Sequence, residues 1–224
     1  MSTALLWFRR DLRLSDNPAL AAAVERAERI VPVYVHAPDE EGEWRPGAAS
    51  NWWLHRSLQR LDAELRERGT ALIVRRGATA AEVLASLAQE TGAEHVFWNR
   101  LYDPASVARD TALKQRLRAG GLECESCNGS LLREPWQVRT AQGGPYKVFT
   151  PFWRACQADL DALTPPRAAP AVVRGPRRPP ASLPLDALGL LPGIRWDAGL
   201  EANWTPGEAG AHARLAAFCD GAIA

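Results

Sequence analysis

The sequence carries almost no excess charge, with 27 basic residues set against 26 acidic ones for a net of +1. A surface that grips nucleic acid by its phosphates needs a clustered basic excess, so these residues do not read as such a surface. Cysteine is scarce. Cys124, Cys127, Cys156 and Cys219 make no disulfide framework, which suits a reducing compartment. Cys124-Glu125-Ser126-Cys127 spells C-x-x-C, but a zinc site needs two more ligands at comparable spacing, and the sequence has none. A redox pair needs a strand-to-helix turn. Here the pair falls in a short strand, where its odd separation turns the two thiols to opposite faces. The histidines, His36, His55, His95 and His212, are scattered, and no metal is expected. No apolar run approaches the ~20 residues of a membrane span. The stretch before Arg9 is too short for a signal peptide and lacks a small-residue cleavage site. The expectation is a soluble, cytoplasmic, monomeric protein.

What the chain does have is alternation. Ala4–Phe8, Ile30–His36, Leu72–Arg75, His95–Asn99 and Leu122–Cys127 read as five strands. Between them lie helical stretches with start and stop signals. Asn17-Pro18, Thr79 and Asp103-Pro104 open helices, and Gly69, Gly92 and Gly120-Gly121 close them. Strand–helix alternation at this spacing predicts an α/β fold: a doubly wound, Rossmann-like five-stranded parallel sheet with helices on both faces. Ligands of such sheets bind at the carboxyl ends of the strands. Those ends carry Arg9 and Arg10, His36 to Trp44, and Asn99 to Asp103.

After Ala162 the composition shifts. Eight of the 17 prolines lie between Pro165 and Pro192, which predicts an extended, semi-rigid connector. Thr205-Pro206-Gly207-Glu208 has the form of a capping box, with Thr205 as cap, opening a helix whose apolar residues are Ala211, Leu215, Phe218 and Ala222. One helix has nothing of its own to pack on, so the chain looks cut at the start of a second, helical domain. The expected division is an α/β domain over 1–162, a connector over 163–204 and the first helix of that further domain over 205–224.

Several blocks identify a family. Leu6-Trp7-Phe8-Arg9-Arg10-Asp11-Leu12-Arg13-Leu14-Ser15-Asp16-Asn17 straddles the first strand and the first helix cap. It is followed in order by Trp52-Trp53-Leu54-His55, Trp98-Asn99-Arg100-Leu101-Tyr102-Asp103-Pro104, Arg109-Asp110, Glu134-Pro135-Trp136 and Pro145 to Trp153. Together they resemble the DNA photolyase/cryptochrome family. The resemblance implies a light-dependent DNA-repair flavoenzyme that splits cyclobutane pyrimidine dimers flipped from the duplex, by electron transfer from excited reduced FAD. It places FAD and the contacts to damaged DNA in the helical domain, so no catalytic residue is assigned to this chain. It makes the α/β domain the seat of a light-harvesting antenna chromophore. Two rivals are a cryptochrome-type blue-light photoreceptor, which shares the fold, and a stand-alone nucleotide-binding domain of electron-transfer-flavoprotein type. The latter wants a Gly-rich phosphate loop after the first strand, where Arg9-Arg10-Asp11-Leu12 has no glycine.

Four residues are candidates for the antenna pocket: Arg10, Trp44, Asp103 and Ser106. Arg10 offers a guanidinium to a planar, anionic partner. Trp44 stands about where folate-binding relatives place a histidine, and could stack on a flat chromophore. Those relatives carry an Asn-Glu pair early in the helix after Tyr102, where this chain has Ala105-Ser106. That departure favours a flavin or deazaflavin antenna over a folate. Asp103, the one nearby acid, is assigned to the helix cap. Trp7, Trp98 and Trp153 read as core.

Overall fold

A computed structural model describes residues 2–158, 160 and 164–222, apart from the side chain of Trp44. Five parallel strands, β1 (Thr3–Phe8), β2 (Arg29–His36), β3 (Ile73–Arg76), β4 (His95–Asn99) and β5 (Glu123–Cys127), form one sheet in the order β3-β2-β1-β4-β5. The three central strands, β1, β2 and β4, are mostly apolar and buried on both faces, as a covered parallel sheet requires. In β1, Ala4, Leu6 and Phe8 enter one core, while Leu5 and Trp7 enter the other. Helices α1 (Pro18–Arg26) and α2 (Ala48–Glu67) cover the first face. Helices α3 (Ala80–Thr91) and α4 (Pro104–Ala119) cover the second. Cys124 packs on one face and Cys127 on the other, as the odd separation predicts. Burial pushes both thiols up, Cys127 to about 11 with help from Glu125, so neither is a poised nucleophile.

The caps expected at the helix starts are in place. Asn17 accepts from the Leu20 N–H at 3.1 Å, Thr79 from Glu82 at 3.2 Å, and Asp103 from Ser106 at 2.9 Å. Pro32 is tolerated inside β2 because its missing donor faces the same side as the Ile30 N–H, below the point where pairing with β3 begins at Val33.

The proline-rich stretch is extended, and it is also packed. Val173 is fully buried in the first core, joined by Leu188 and Leu190. The Val173 N–H donates to Arg68 O at 2.8 Å, and Arg174 O accepts from the Ile30 N–H at 2.8 Å. Farther on, Leu183 N–H donates to Val74 O while the Ser182 hydroxyl accepts from Val74 N–H, both at 2.9 Å, so the strap closes the β3 edge. At the other edge, the outward carbonyls of β5 are taken by guanidinium groups: Cys124 O by Arg118 at 3.2 Å, and Ser126 O by Arg100. The expected domain boundary at 162–163 falls outside the described residues.

Three further helices follow: α5 (Phe149–Gln157), α6 (Ala198–Asn203) and α7 (Glu208–Gly221). Here two expectations are corrected. Trp153 is not core. It lies on α5, half exposed, stacked on Phe149 with ring centroids 6.3 Å apart. Thr205 is not the cap of α7 either. That position belongs to Gly207, whose φ of +101° favours glycine. Glu208 does not fold back to complete a capping box; it reaches across to the loop after β1. The apolar positions Leu215 and Phe218 are more than half exposed.

Two outcomes follow. Thr205→Ala leaves amide exchange through 208–218 unchanged. Val173→Ala, which empties a fully buried position, lowers the urea-unfolding free energy by about 2 kcal/mol.

Candidate functional site

Because the strand order reverses at β1, the loops after β1 and β4 diverge, and a crevice opens beside their carboxyl ends. Its floor is set by one buried ion pair. Arg9, the residue after β1, places Nη1 2.7 Å from Asp110 Oδ1 on α4. Its Nη2 donates to Asn99 O, and the guanidinium lies 4.4 Å from the centroid of the Trp7 ring. The second oxygen of Asp110 accepts from Trp98 Nε1 at 3.2 Å. Burial pulls the Arg9 guanidinium below its ordinary range, and Asp110 works against that shift. Asn99, ending β4, donates to Asp11 at 2.6 Å and Asn17 at 2.8 Å, and accepts from the Ala19 N–H at 3.1 Å. A Cβ at Gly129 would meet Asn99 Cγ at 2.6 Å, so only glycine fits against this hub.

Above the floor lies a cleft of about 1630 Å3, walled by the ends of β1 and β2, by α2 and by the start of α7. A short 3-10 segment, Pro38–Trp44, forms its rim. Glu41 on that rim spans two arginines, with Arg10 Nη2 at 3.3 Å and Arg109 Nη1 at 3.1 Å. Beneath it sits Tyr34, whose phenol is pushed up to about 12 by burial and then by Glu41. Burial, followed by Arg76, lowers His36. Glu208 closes the α7 side. It accepts from Leu14 N–H at 2.7 Å, from Ser15 N–H at 3.1 Å and from the Ser15 hydroxyl.

The four candidates separate. Arg10 borders the cleft. Ser106 is buried behind it and acts at one remove, its hydroxyl accepting from Arg109 Nη2 at 3.3 Å. Asp103 is spent on its cap, its carboxyl held below the ordinary range by the Ser106 backbone and hydroxyl groups. The side chain of Trp44 lies outside the described residues. Sequence reasoning did not single out Tyr34, Glu41, Trp53, Arg109 or Glu208 as pocket residues. Trp53 and Arg109 stand in the quoted blocks, where nothing in their spacing points at a shared cavity, and Glu41 lies within His36 to Trp44, the stretch placed at the carboxyl end of the second strand. Among the described residues, no cluster of three or more His, Cys, Asp or Glu side chains could hold a metal, and no helix is long and apolar enough to cross a membrane.

Asp110→Ala leaves Arg9 charged and unpaired in a buried position. It is expected to cost about 3–5 kcal/mol in urea unfolding, with Asp110→Asn costing less because Trp98 keeps an acceptor. The Glu208 latch is acid-sensitive. Burial raises its carboxyl, but the Ser15 hydroxyl and the Leu14 and Ser15 amides outweigh that, so its net pKa falls below the ordinary 4.5. A depressed carboxylate stabilises the fold above its ordinary value and loses that contribution as pH falls through the folded value. Protection factors of the amides across 208–218, which remove the intrinsic pH dependence of exchange, are therefore expected to be high at about pH 6 and to fall from about pH 4.5 downward. In Glu208→Gln they are low at both. Glu64, raised by burial and by Glu208, works in the opposite direction and is removed in a Glu64→Gln control.

Residues 4–171 match the family model described as DNA photolyase. The chain is 44% identical over 220 residues to a deoxyribodipyrimidine photo-lyase of Agrobacterium fabrum, covering 98% of this chain and 45% of that protein. It is 47% identical over 153 residues to Cryptochrome-1 of Arabidopsis thaliana, covering 68% of this chain and 22% of that one. The crystal structure of a bacterial class III photolyase from Agrobacterium tumefaciens superposes with a TM-score of 0.91 at 44% identity, covering all of this chain and 45% of that one. The chain thus spans less than half the length of these relatives. The match runs unbroken from β1 into the strap, and the fold agrees throughout: the chain belongs to the photolyase/cryptochrome family, and its α/β body is that family's N-terminal domain.

Proposed function

We propose that this chain is the light-harvesting part of a deoxyribodipyrimidine photolyase, a light-dependent flavoenzyme that repairs cyclobutane pyrimidine dimers in DNA. The observation that carries the reading is the cleft. It sits where doubly wound sheets hold ligands, its volume of about 1630 Å3 exceeds that of an ordinary small-molecule pocket and leaves room for a large chromophore, and its walls combine guanidinium groups, a phenol and indoles. A planar, anionic antenna chromophore fits that lining. When bound, it absorbs light and passes the excitation on. The chain's own residues hold and orient it: Arg10 and Arg109 by charge, and the Glu41 bridge by keeping both guanidinium groups fixed. FAD and damaged DNA belong to the reading but are assigned no residue here, and a net charge of +1 agrees with a limited role in gripping DNA.

The preference for a flavin or deazaflavin over a folate rests on the lack of a carboxylate at Ala105-Ser106. Glu41 brings a carboxylate to the cleft, but its two oxygens already meet Arg10 and Arg109, so the preference is kept. The identity of 47% with a plant cryptochrome supports the second reading, a photoreceptor without repair activity.

The test is a chimera that joins this chain to the remaining residues of the Agrobacterium fabrum photo-lyase. Splitting of dimers in irradiated DNA under blue light, and none in the dark, is expected. A folded, FAD-loaded chimera that splits none would favour the photoreceptor. The chromophore released from it by denaturation is then identified by its absorption spectrum. The 224-residue chain alone is expected to retain no FAD, and to bind dimer-containing DNA no tighter than micromolar at about 0.15 M salt.

A further inference from the structure

Helix α2 buries a histidine that the cleft does not use. His55 is fully sealed from solvent, and neither ring nitrogen finds a hydrogen-bond partner among the described residues. A neutral imidazole in such a place forgoes the bonds it would make in water, and a charged one would cost far more. The group that faces it comes from the strap. Asp186, on a short 3-10 turn over Leu185–Leu188, puts Oδ1 3.5 Å from His55 Nε2 while its own side chain is 87% exposed. A carboxylate so open to water offsets a buried charge only in part. The turn is tied by hydrogen bonds near its ends. Ala187 N–H donates to Pro184 O at 3.0 Å, Gly189 N–H to Asp186 O at 3.1 Å, and Arg76 Nη2 to Leu188 O at 2.8 Å. Arg76 lies in register with His36 on β2, so a second imidazole stands behind that last tie. Leu188 and Leu190 anchor the segment in the first core, and both of them, with Gly189, also line the cleft. Lifting the segment would uncover His55 and take down a wall of the cleft in one movement.

We propose that His55 is a proton-operated catch beneath the strap: neutral, it lets residues 185–190 close over it; protonated, it releases them and opens the side of the cleft that 188–190 form. Burial lowers the His55 imidazole below its ordinary value of 6.5, with Asp186 opposing and Arg56, its neighbour on α2, assisting. A base held down in this way leaves the closed segment at full stability above about pH 6.5 and withdraws that stability as pH falls below it. Once the segment lifts, the ring is hydrated and takes its proton at the ordinary value, so proton uptake and opening favour each other. The catch needs no ligand, and it stands or falls apart from the reading of the cleft as an antenna site.

Protection factors of the Ala187 and Gly189 amides are measured in the 224-residue chain between about pH 7.5 and pH 5, above the range in which the Glu208 latch lets go. They are expected to fall about tenfold or more, with about thirtyfold the ceiling for a ring that stays neutral beneath the turn and titrates near 6.5 once exposed. Amides of β1 are expected to keep their protection over the same range, which separates a local opening from global unfolding. His55→Gln and His55→Leu, two replacements that carry no proton, are expected to hold the fall within about twofold. His36→Gln, which removes the imidazole behind Arg76, is expected to leave the fall within about threefold of the unaltered chain. Urea midpoints at about pH 7.5 confirm that each variant folds. An unaltered chain whose protection stays flat down to pH 5 overturns the proposal. So does a fall that persists in both His55 variants, or one that disappears in His36→Gln.

Discussion

The salt bridge between Arg9 and Asp110 is the contact on which the rest of the site is hung. It joins the end of β1 to α4 across the place where the sheet reverses direction, and so decides how wide the crevice stands. Two buried charges are costly to desolvate, and a pair of this kind survives only when each remaining polar atom finds a partner. Most do: Asn99 O takes one Arg9 nitrogen, Trp98 Nε1 takes the second Asp110 oxygen, and the Trp7 face lies against the guanidinium. What an apolar substitute of equal volume could not supply is direction. The pair sets a fixed angle between two elements that share no loop.

Around this pair the polar groups form a series of links. Asn99 ties β4 to α1 and to Asp11, and Arg109, beside Asp110 in sequence, turns outward to Glu41 and the rim. Glu208 does the same for α7, borrowing two unpaired amides from the loop after β1. The cleft is thus shaped by hydrogen bonds between elements, while the two apolar cores beneath it supply the bulk of the stability.

Local chemistry made the sheet and its helices legible in sequence. Asn17, Thr79 and Asp103 cap where their side chains predict, because a cap depends only on neighbours within one turn. The errors lie where distant residues compete for a group. Glu208 abandons the capping box because Leu14 and Ser15, nearly two hundred residues earlier, offer better donors. Prolines told that residues 165–192 are extended, but not that Val173 would be interred between α2 and β2, which is a fact about tertiary packing. At the site, Arg10 could be read from its place after a strand. Glu41 lies in the stretch after β2 that the same rule pointed to, but its bridge to Arg10 and Arg109 was not legible, and Trp53, on a helix, could not be read as a wall of the cleft at all.

The two borders of the sheet have a consequence for the protein's life in a crowded solution. A parallel sheet with bare margins is a template on which other chains can add strands and grow into fibrils. Here one margin is occupied by the chain's own proline-rich segment, which cannot donate a regular ladder to a newcomer. At the other, outward carbonyls are plugged by two arginine side chains, which place positive charge where an incoming strand would have to lie. One end is blocked sterically and the other electrostatically, so polymerisation through the sheet is arrested at both.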